Sequence, residues 1–495
     1  MKRSAGILLP ISSLPSRYGI GCFDRSAYRF ADWLKAAGQS CWQILPLGAT
    51  SYGDSPYQSF SAFAGNPYFI SLEALIEEGL LTAEECEAAR MEEDPASVNY
   101  ELLSRTRYPL LRKAHERSGI AADPAFAAFC AQQEWLADYA LFMALKDHFG
   151  GAAWSEWDEE IRMRTPQAMT QYQQLLAADV EFYQFLQYHF YRQWEQLKAY
   201  ANAQGIRIIG DIPIYTALDS ADTWAHPELF QLDEHNVPKA VAGCPPDGFA
   251  ADGQLWGNPL YDWEVHAKTG YAWWICRLAH CFRLYDMVRI DHFRGFDEYY
   301  SIPFGDTNAR NGHWEKGPGI ALFQAMERAL GKQEVIAEDL GFVTDSVRQL
   351  VRECGFPNMK VLEFAFDSRD TGSRNDYLPH NYTENCAAYT GTHDNQTITA
   401  WFASITDEER EMARDYLCDH YTPEAELHKA FIALLMRSRA DLCIIPMQDW
   451  LGLDDASRMN TPSTIGENWK WRLESAALTA ALTKEIRHMT EQYGR

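Results

Sequence analysis

Positive charge is in short supply: 44 Lys and Arg face 69 Asp and Glu, leaving the 495-residue chain at a formal −25. A surface that acidic repels phosphate backbones and anionic lipid, so neither nucleic acid nor membrane is an expected partner, and a neutral substrate fits best. Metal-ligand spacing is missing as well. The eleven cysteines (Cys22, Cys41, Cys86, Cys130, Cys244, Cys276, Cys281, Cys354, Cys386, Cys418 and Cys443) are odd in number and form no Cys-x-x-Cys pair. Reduced thiols are expected, rather than a zinc site or a disulfide framework. No apolar run approaches a membrane span. Lys2 and Arg3 precede only a short apolar stretch before Pro10, too little for a signal peptide, so the expected location is the cytoplasm. Internal repeats and linkers between independent domains are also absent.

What is present is a sizeable core. Hydrophobic residues make up 47% of the chain and charged ones 23%, the balance of a globular protein. The 16 Trp, 25 Tyr and 25 Phe include candidates for stacking on sugar rings, although most must serve ordinary packing. Eight short apolar runs, at 6–9, 41–45, 207–214, 287–291, 334–338, 360–366, 387–391 and 442–445, read as buried parallel strands. Helix-period segments lie between most of them. Eightfold alternation predicts an α/β fold of the (β/α)₈ barrel type. A doubly wound sheet shares the alternation, but no Gly-x-Gly-x-x-Gly turn follows an early strand.

The spacing is uneven. Roughly 160 residues separate the second and third strands, far more than one crossover helix needs. The expected organisation is therefore 1–71 for barrel strands 1 and 2 and 72–176 for an inserted helical subdomain. Residues 177–216 resume the barrel with strand 3, 217–262 form a Gly- and Pro-rich, loop-like insertion placed as a lid, and 263–495 carry strands 4 to 8.

Active sites of such barrels gather at the carboxyl ends of the strands. There the sequence places Asp211 on strand three, Arg289-Ile290-Asp291-His292 on strand four, Glu338-Asp339 on strand five and Thr392-His393-Asp394-Asn395 after strand seven. Strand six offers only Asp367, just beyond its end. A single Asp at a strand end is commonly a helix cap. Several acids facing one mouth repel one another, and a fold keeps such a cluster for use. Residues two apart on a strand share a face, so Arg289 should lie beside Asp291, lower its pKa and hold it ionised. Glu338 and Asp339 face opposite ways, so one of them enters the mouth. An ionised carboxylate beside an acid of raised pKa is equipment for glycosidic bond cleavage, and a separation of about 5 Å would retain anomeric configuration.

Those motifs, with Pro10–Ser16, Gly53–Gln58, Gly210–Tyr215, Gln254–Pro259 and Arg458–Pro462, resemble the amylomaltases. These are bacterial 4-alpha-glucanotransferases related to plant disproportionating enzyme, within the alpha-amylase clan. The resemblance spans nearly the whole chain. It implies transfer of alpha-1,4-glucan segments between maltooligosaccharides, glucose included as acceptor or product, with no cofactor. It implies Asp291 as nucleophile, Glu338 as general acid/base and Asp394 as a third carboxylate gripping sugar hydroxyls. Arg289 and His393 would contact the reacting sugar. Asp211, Ser55, Tyr57, Gln254, Trp256, Asn258, Asn460 and Asp367 would line glucose subsites. Two departures stand out. The third-strand motif runs Asp211-Ile212-Pro213 where the wider clan has Asp-Asn-His, so no calcium requirement is expected through it. The lid segment Gly243-Cys244-Pro245-Pro246-Asp247-Gly248-Phe249 carries Gly248 where relatives often have an aromatic residue. An alpha-glucan hydrolase and a catalytically silent glucan-binding protein remain the alternative readings.

Overall fold

The computed structural model describes residues 2–50, 52–246, 251–341 and 343–495. The first strand, β1 (Ser4–Leu8), buries four of its five residues. Pro10, which lacks an N–H for a ladder, follows its end. The helix Arg25–Ala36 comes next. Asp24 caps it by accepting from the Ser26 amide, and Ala27, Phe30, Ala31 and Leu34 form its buried stripe. The remaining strands are β2 (Cys41–Gln43), β3 (Arg207–Pro213), β4 (Ala240–Cys244), β5 (Gln254–Pro259), β6 (Met287–Asp291), β7 (Glu298–Pro303), β8 (His313–Lys316), β9 (Val335–Ala337), β10 (Asn358–Val361), β11 (Cys386–Tyr389) and β12 (Leu442–Pro446).

Eight of these close a parallel barrel in the order β1-β12-β11-β10-β9-β6-β3-β2. The (β/α)₈ expectation is met. β11 and β12 are buried at every position, because a barrel strand is covered by helices on one face and by neighbouring side chains on the other. Gly210 on β3 shows how tight this is. A Cβ there would lie 2.2 Å from the Tyr285 ring, so that face admits only glycine, while Asp211 turns the opposite way.

Two expectations need correction. The sixth barrel strand was expected over 360–366, but β10 ends at Val361 and residues Leu362–Ala365 form a 3-10 turn. The apolar run outlasts the strand because Leu362 and Ala365 turn back into the core, both at most 1% exposed. The loop-like region 217–262 contains β4 and β5. With β7 and β8 they make a second, antiparallel sheet in the order β5-β4-β7-β8. β4 pairs with β7 from Ala240↔Pro303 to Gly243↔Tyr300, a partner far along the chain. Short segments punctuated by Gly and Pro carry too little period-2 signal to reveal such pairing. Of the expected lid segment, residues 247–249 lie outside the described residues.

Between β2 and β3 the chain is largely helical, ending in the long helix Ala177–Ala203. Phe190 and Trp194 of that helix pack on the segment leading into the helix Arg25–Ala36, their rings 5.2 and 5.3 Å from that of Phe23. Among the described residues no helix is long and apolar enough to cross a membrane.

Candidate active site

β3 and β6 are neighbours, and Asp211 and Arg289 are register partners. Inside the barrel, Arg289 Nη1 donates to both oxygens of Asp211, at 2.8 and 2.6 Å, while Nη2 lies 3.1 Å from Asp291 Oδ1. The guanidinium and Asp211 are buried, and a buried charge requires such pairing. Tyr57, from the loop after β2, donates its hydroxyl to Asp211 Oδ2 at 2.7 Å. Its ring stacks on His393, with centroids 5.1 Å apart and planes inclined by 13°. His393 Nε2 lies 3.4 Å from Asp394 Oδ2, and Asn460 Nδ2 donates to Asp394 Oδ1 at 2.6 Å. One connected set of contacts thus joins Asp211, Arg289, Asp291, Tyr57, His393, Asp394 and Asn460.

Glu338 enters from the next strand. Ile290 on β6 pairs with Ala337 on β9, which brings Asp291 and Glu338 to adjoining strand ends. The Glu338 carboxylate accepts from the amides of His292 (2.6 Å) and Leu340 (2.9 Å). His292 reaches it by adopting a left-handed backbone, φ 52°, a conformation that costs a non-glycine residue energy. Asp339 turns away and accepts from the Met359 amide at 3.0 Å.

The electrostatics differ from the simple expectation for Asp291. Burial among barrel side chains pushes its pKa well above the ordinary carboxylate range. Arg289 opposes this, and the Glu338 charge adds to it. The guanidinium acts in the expected sense but does not outweigh desolvation. Glu338 is raised too, by burial first, with Arg289 and the two amides opposing. The Asp291 side chain remains 27% exposed, so the pair opens to the mouth. Burial lowers the His393 pKa, leaving a neutral imidazole.

Most of the remaining expected residues lie on β5 and on the loop after β2. Trp256 on β5 meets His292 edge-on, 4.8 Å between centroids, and donates its indole N–H to Gln254 at 3.1 Å. Asn258 donates to the Thr216 carbonyl at 2.8 Å and accepts from Gln58 at 3.0 Å, tying β5 to the loop after β2. The Ser55 hydroxyl accepts from the Tyr57 amide at 3.2 Å and shapes that same loop. Asp367 is not brought into the cluster by any of these contacts; it binds Arg369, with Nη2 to Oδ2 at 2.7 Å.

Sequence reasoning missed Trp469. Its ring lies 5.8 Å from Tyr57 and 5.9 Å from His393, against the stacked pair, and its φ of 67° aims it there. No motif announces it. It missed Glu363 as well, a lone acid inside an apolar run, and that contrast was the available signal.

Comparison with known proteins gives the family. The 4-alpha-glucanotransferase family profile matches residues 9–479. A 4-alpha-glucanotransferase of Clostridium butyricum is 47% identical over 488 residues, 98% of this chain and 99% of that protein. One from Thermus thermophilus is 46% identical over 505 residues, 99% of each. Among solved structures, an amylomaltase from Streptococcus agalactiae in complex with acarbose matches with a TM-score of 0.96 at 41% identity, covering 100% of both chains. A profile spanning most of the sequence, and relatives nearly half identical from end to end, leave one conclusion: this chain belongs to the 4-alpha-glucanotransferase family.

Proposed function

We propose that this chain transfers alpha-1,4-glucan segments between maltooligosaccharides by retaining double displacement, with Asp291 as nucleophile and Glu338 as general acid/base. The observation that carries this reading is the placement of two carboxyls on adjoining strand ends, Asp291 with Arg289 Nη2 at 3.1 Å and Glu338 held by the His292 and Leu340 amides. With a single proton on the two carboxyls, carried by Glu338, and Arg289 favouring ionised Asp291, Glu338 gives that proton to the glycosidic oxygen as Asp291 attacks the anomeric carbon. The leaving glucan departs with a free 4-hydroxyl, and the donor segment stays on Asp291 as an ester. An acceptor 4-hydroxyl then attacks the same carbon, Glu338 takes its proton, and Asp291 is released as a carboxylate. Two inversions restore the original configuration.

In this reading Asp394 and neutral His393 bond hydroxyls of the reacting sugar, which the Asn460 bond to Asp394 and the stacking of Tyr57 on His393 support. Trp256 stands beside His292 on the antiparallel sheet, suited to stack on acceptor glucose and shield the ester from water. That the Streptococcus agalactiae amylomaltase binds acarbose supports a sugar chain in this mouth. The eleven free thiols support a reducing, cytoplasmic setting.

Incubation with maltotriose tests the reading. Transfer yields glucose and longer chains with nearly constant total reducing ends. A steady rise in reducing ends would favour a hydrolase, and no turnover would favour a silent binding protein.

A further inference from the structure

Beneath the loop that carries Asp394 lies a layer of buried polar groups that the mechanism does not use. Glu363, in the turn after β10, is 7% exposed, and its amide donates to the Thr390 carbonyl at 3.2 Å. Its carboxyl is wedged under Gly391: a Cβ at that glycine would lie 2.7 Å from Glu363 Oε1 and 3.1 Å from Asn395 Cβ. Asn395 in turn holds the loop. Its side-chain oxygen accepts from the Thr392 amide at 2.9 Å and the Thr392 hydroxyl at 2.8 Å. That hydroxyl accepts from the Asp394 amide at 3.2 Å.

The charges facing this carboxyl do not balance. Asp449, 1% exposed, accepts from the Thr390 hydroxyl and, at 2.8 Å, from the Ile398 amide. Asp455 adds negative charge, and Arg458 is the cation acting on Glu363. Arg458 is already committed to the carbonyls of Asn460 (2.8 Å) and Asp394 (2.7 Å). Among the described residues Glu363 Oε1 has no hydrogen-bond partner. An ionised carboxylate in that position would be a buried charge with an orphaned oxygen, among the costliest arrangements in a protein interior. Burial and the Asp449 charge accordingly push its pKa well above the usual range, against Arg458 and the Asn395 amide.

We propose that Glu363 is a positioning residue kept as a neutral acid, whose carboxyl braces Gly391 and Asn395 and so fixes the loop that presents Asp394. Its neutrality matters because a charge there would draw Arg458 away from the Asp394 and Asn460 carbonyls. The kinetic consequence rests on the role given to Asp394 above; the protonation state does not.

The test compares Glu363→Gln, a neutral isostere, with Glu363→Ala in maltotriose disproportionation, alongside infrared difference spectra of wild type and Glu363→Gln. Wild type should show a protonated-carboxyl carbonyl band at neutral pH that Glu363→Gln lacks. Glu363→Gln should keep kcat within ~3-fold, whereas Glu363→Ala should lose up to ~10²-fold in kcat with little change in KM, as a loop displaced by ~1 Å would. Absence of the band, or a Glu363→Gln loss as large as that of Glu363→Ala, overturns the proposal. So does wild-type kcat in folded Glu363→Ala. If Glu363→Ala fails to fold, the infrared comparison and the Glu363→Gln rate decide alone. A band present with Asp394→Asn at full activity would instead remove the role of Asp394 and leave the neutral Glu363 standing.

Discussion

Arg289 holds Asp211 by both carboxylate oxygens with one nitrogen and reaches Asp291 with the other. The same guanidinium therefore anchors β3 to β6 and sets the electrostatics of the proposed nucleophile. Structure and chemistry are coupled through a single side chain.

Removing that cation should expose both consequences. Arg289→Met leaves Asp211 buried without its counter-ion, which is expected to cost about 3–5 kcal/mol of stability, read from the denaturant midpoint. Adding Asp211→Asn should recover part of the stability and none of the turnover. Recovery of turnover would mean that Arg289 acts only as scaffold.

Glu338→Gln should lower the disproportionation rate by at least ~10²-fold. The fold should survive, because a side-chain amide oxygen can still accept from the His292 or Leu340 amide. Near-wild-type turnover would remove Glu338 as the proton donor.

Trp256→Ala should raise the acceptor KM by up to ~10-fold, the upper range for a lost aromatic contact, and shift product from transfer toward hydrolysis. Reducing-end yield per glucose released is the measurement. An unchanged ratio would place the water barrier elsewhere.

The share of stability owed to two buried histidines should fall as the solution is acidified below about pH 6.5, while the raised carboxyls of Asp291, Glu338 and Glu363 act in the opposite sense. Burial lowers His280 to about 3 and His266 to about 4, so in the folded chain they stay neutral while the unfolded chain takes up their protons. Their contribution is complete above the unfolded value of 6.5 and is lost progressively toward pH 3–4. His280→Gln should flatten the slope of unfolding free energy against pH by about 1.4 kcal/mol per pH unit, one proton's worth. An unaltered slope between pH 4 and 6 would show that His280 is charged in the fold.

The barrel was legible because its strands are buried on both faces and their ends carry polar residues. Asp211, Arg289, Asp291, Glu338 and Asp394 could be placed by counting along each strand. What could not be read were contacts that depend on distant partners. β4 and β5 acquire their strand character from β7 and β8, and Trp469 reaches Tyr57 through a left-handed backbone that its neighbours do not signal. The raised pKa of Asp291 departs from the expectation because a charge partner is visible in sequence whereas the depth of burial is not. Asp367 stands just past the expected end of the sixth strand, but the turn at Leu362–Ala365 ends that strand early and leaves Glu363 as the acid nearest its tip.

β1 and β12 are edge to edge, from Ser4↔Leu442 to Leu8↔Pro446. During synthesis the ring cannot be sealed until the last of its staves has left the ribosome, long after the strands bearing Asp211, Asp291 and Glu338 have emerged. The nascent chain therefore carries its acidic side chains through most of translation without the enclosure that sets their chemistry. Activity should switch on in one late step, when the final stave closes the cask.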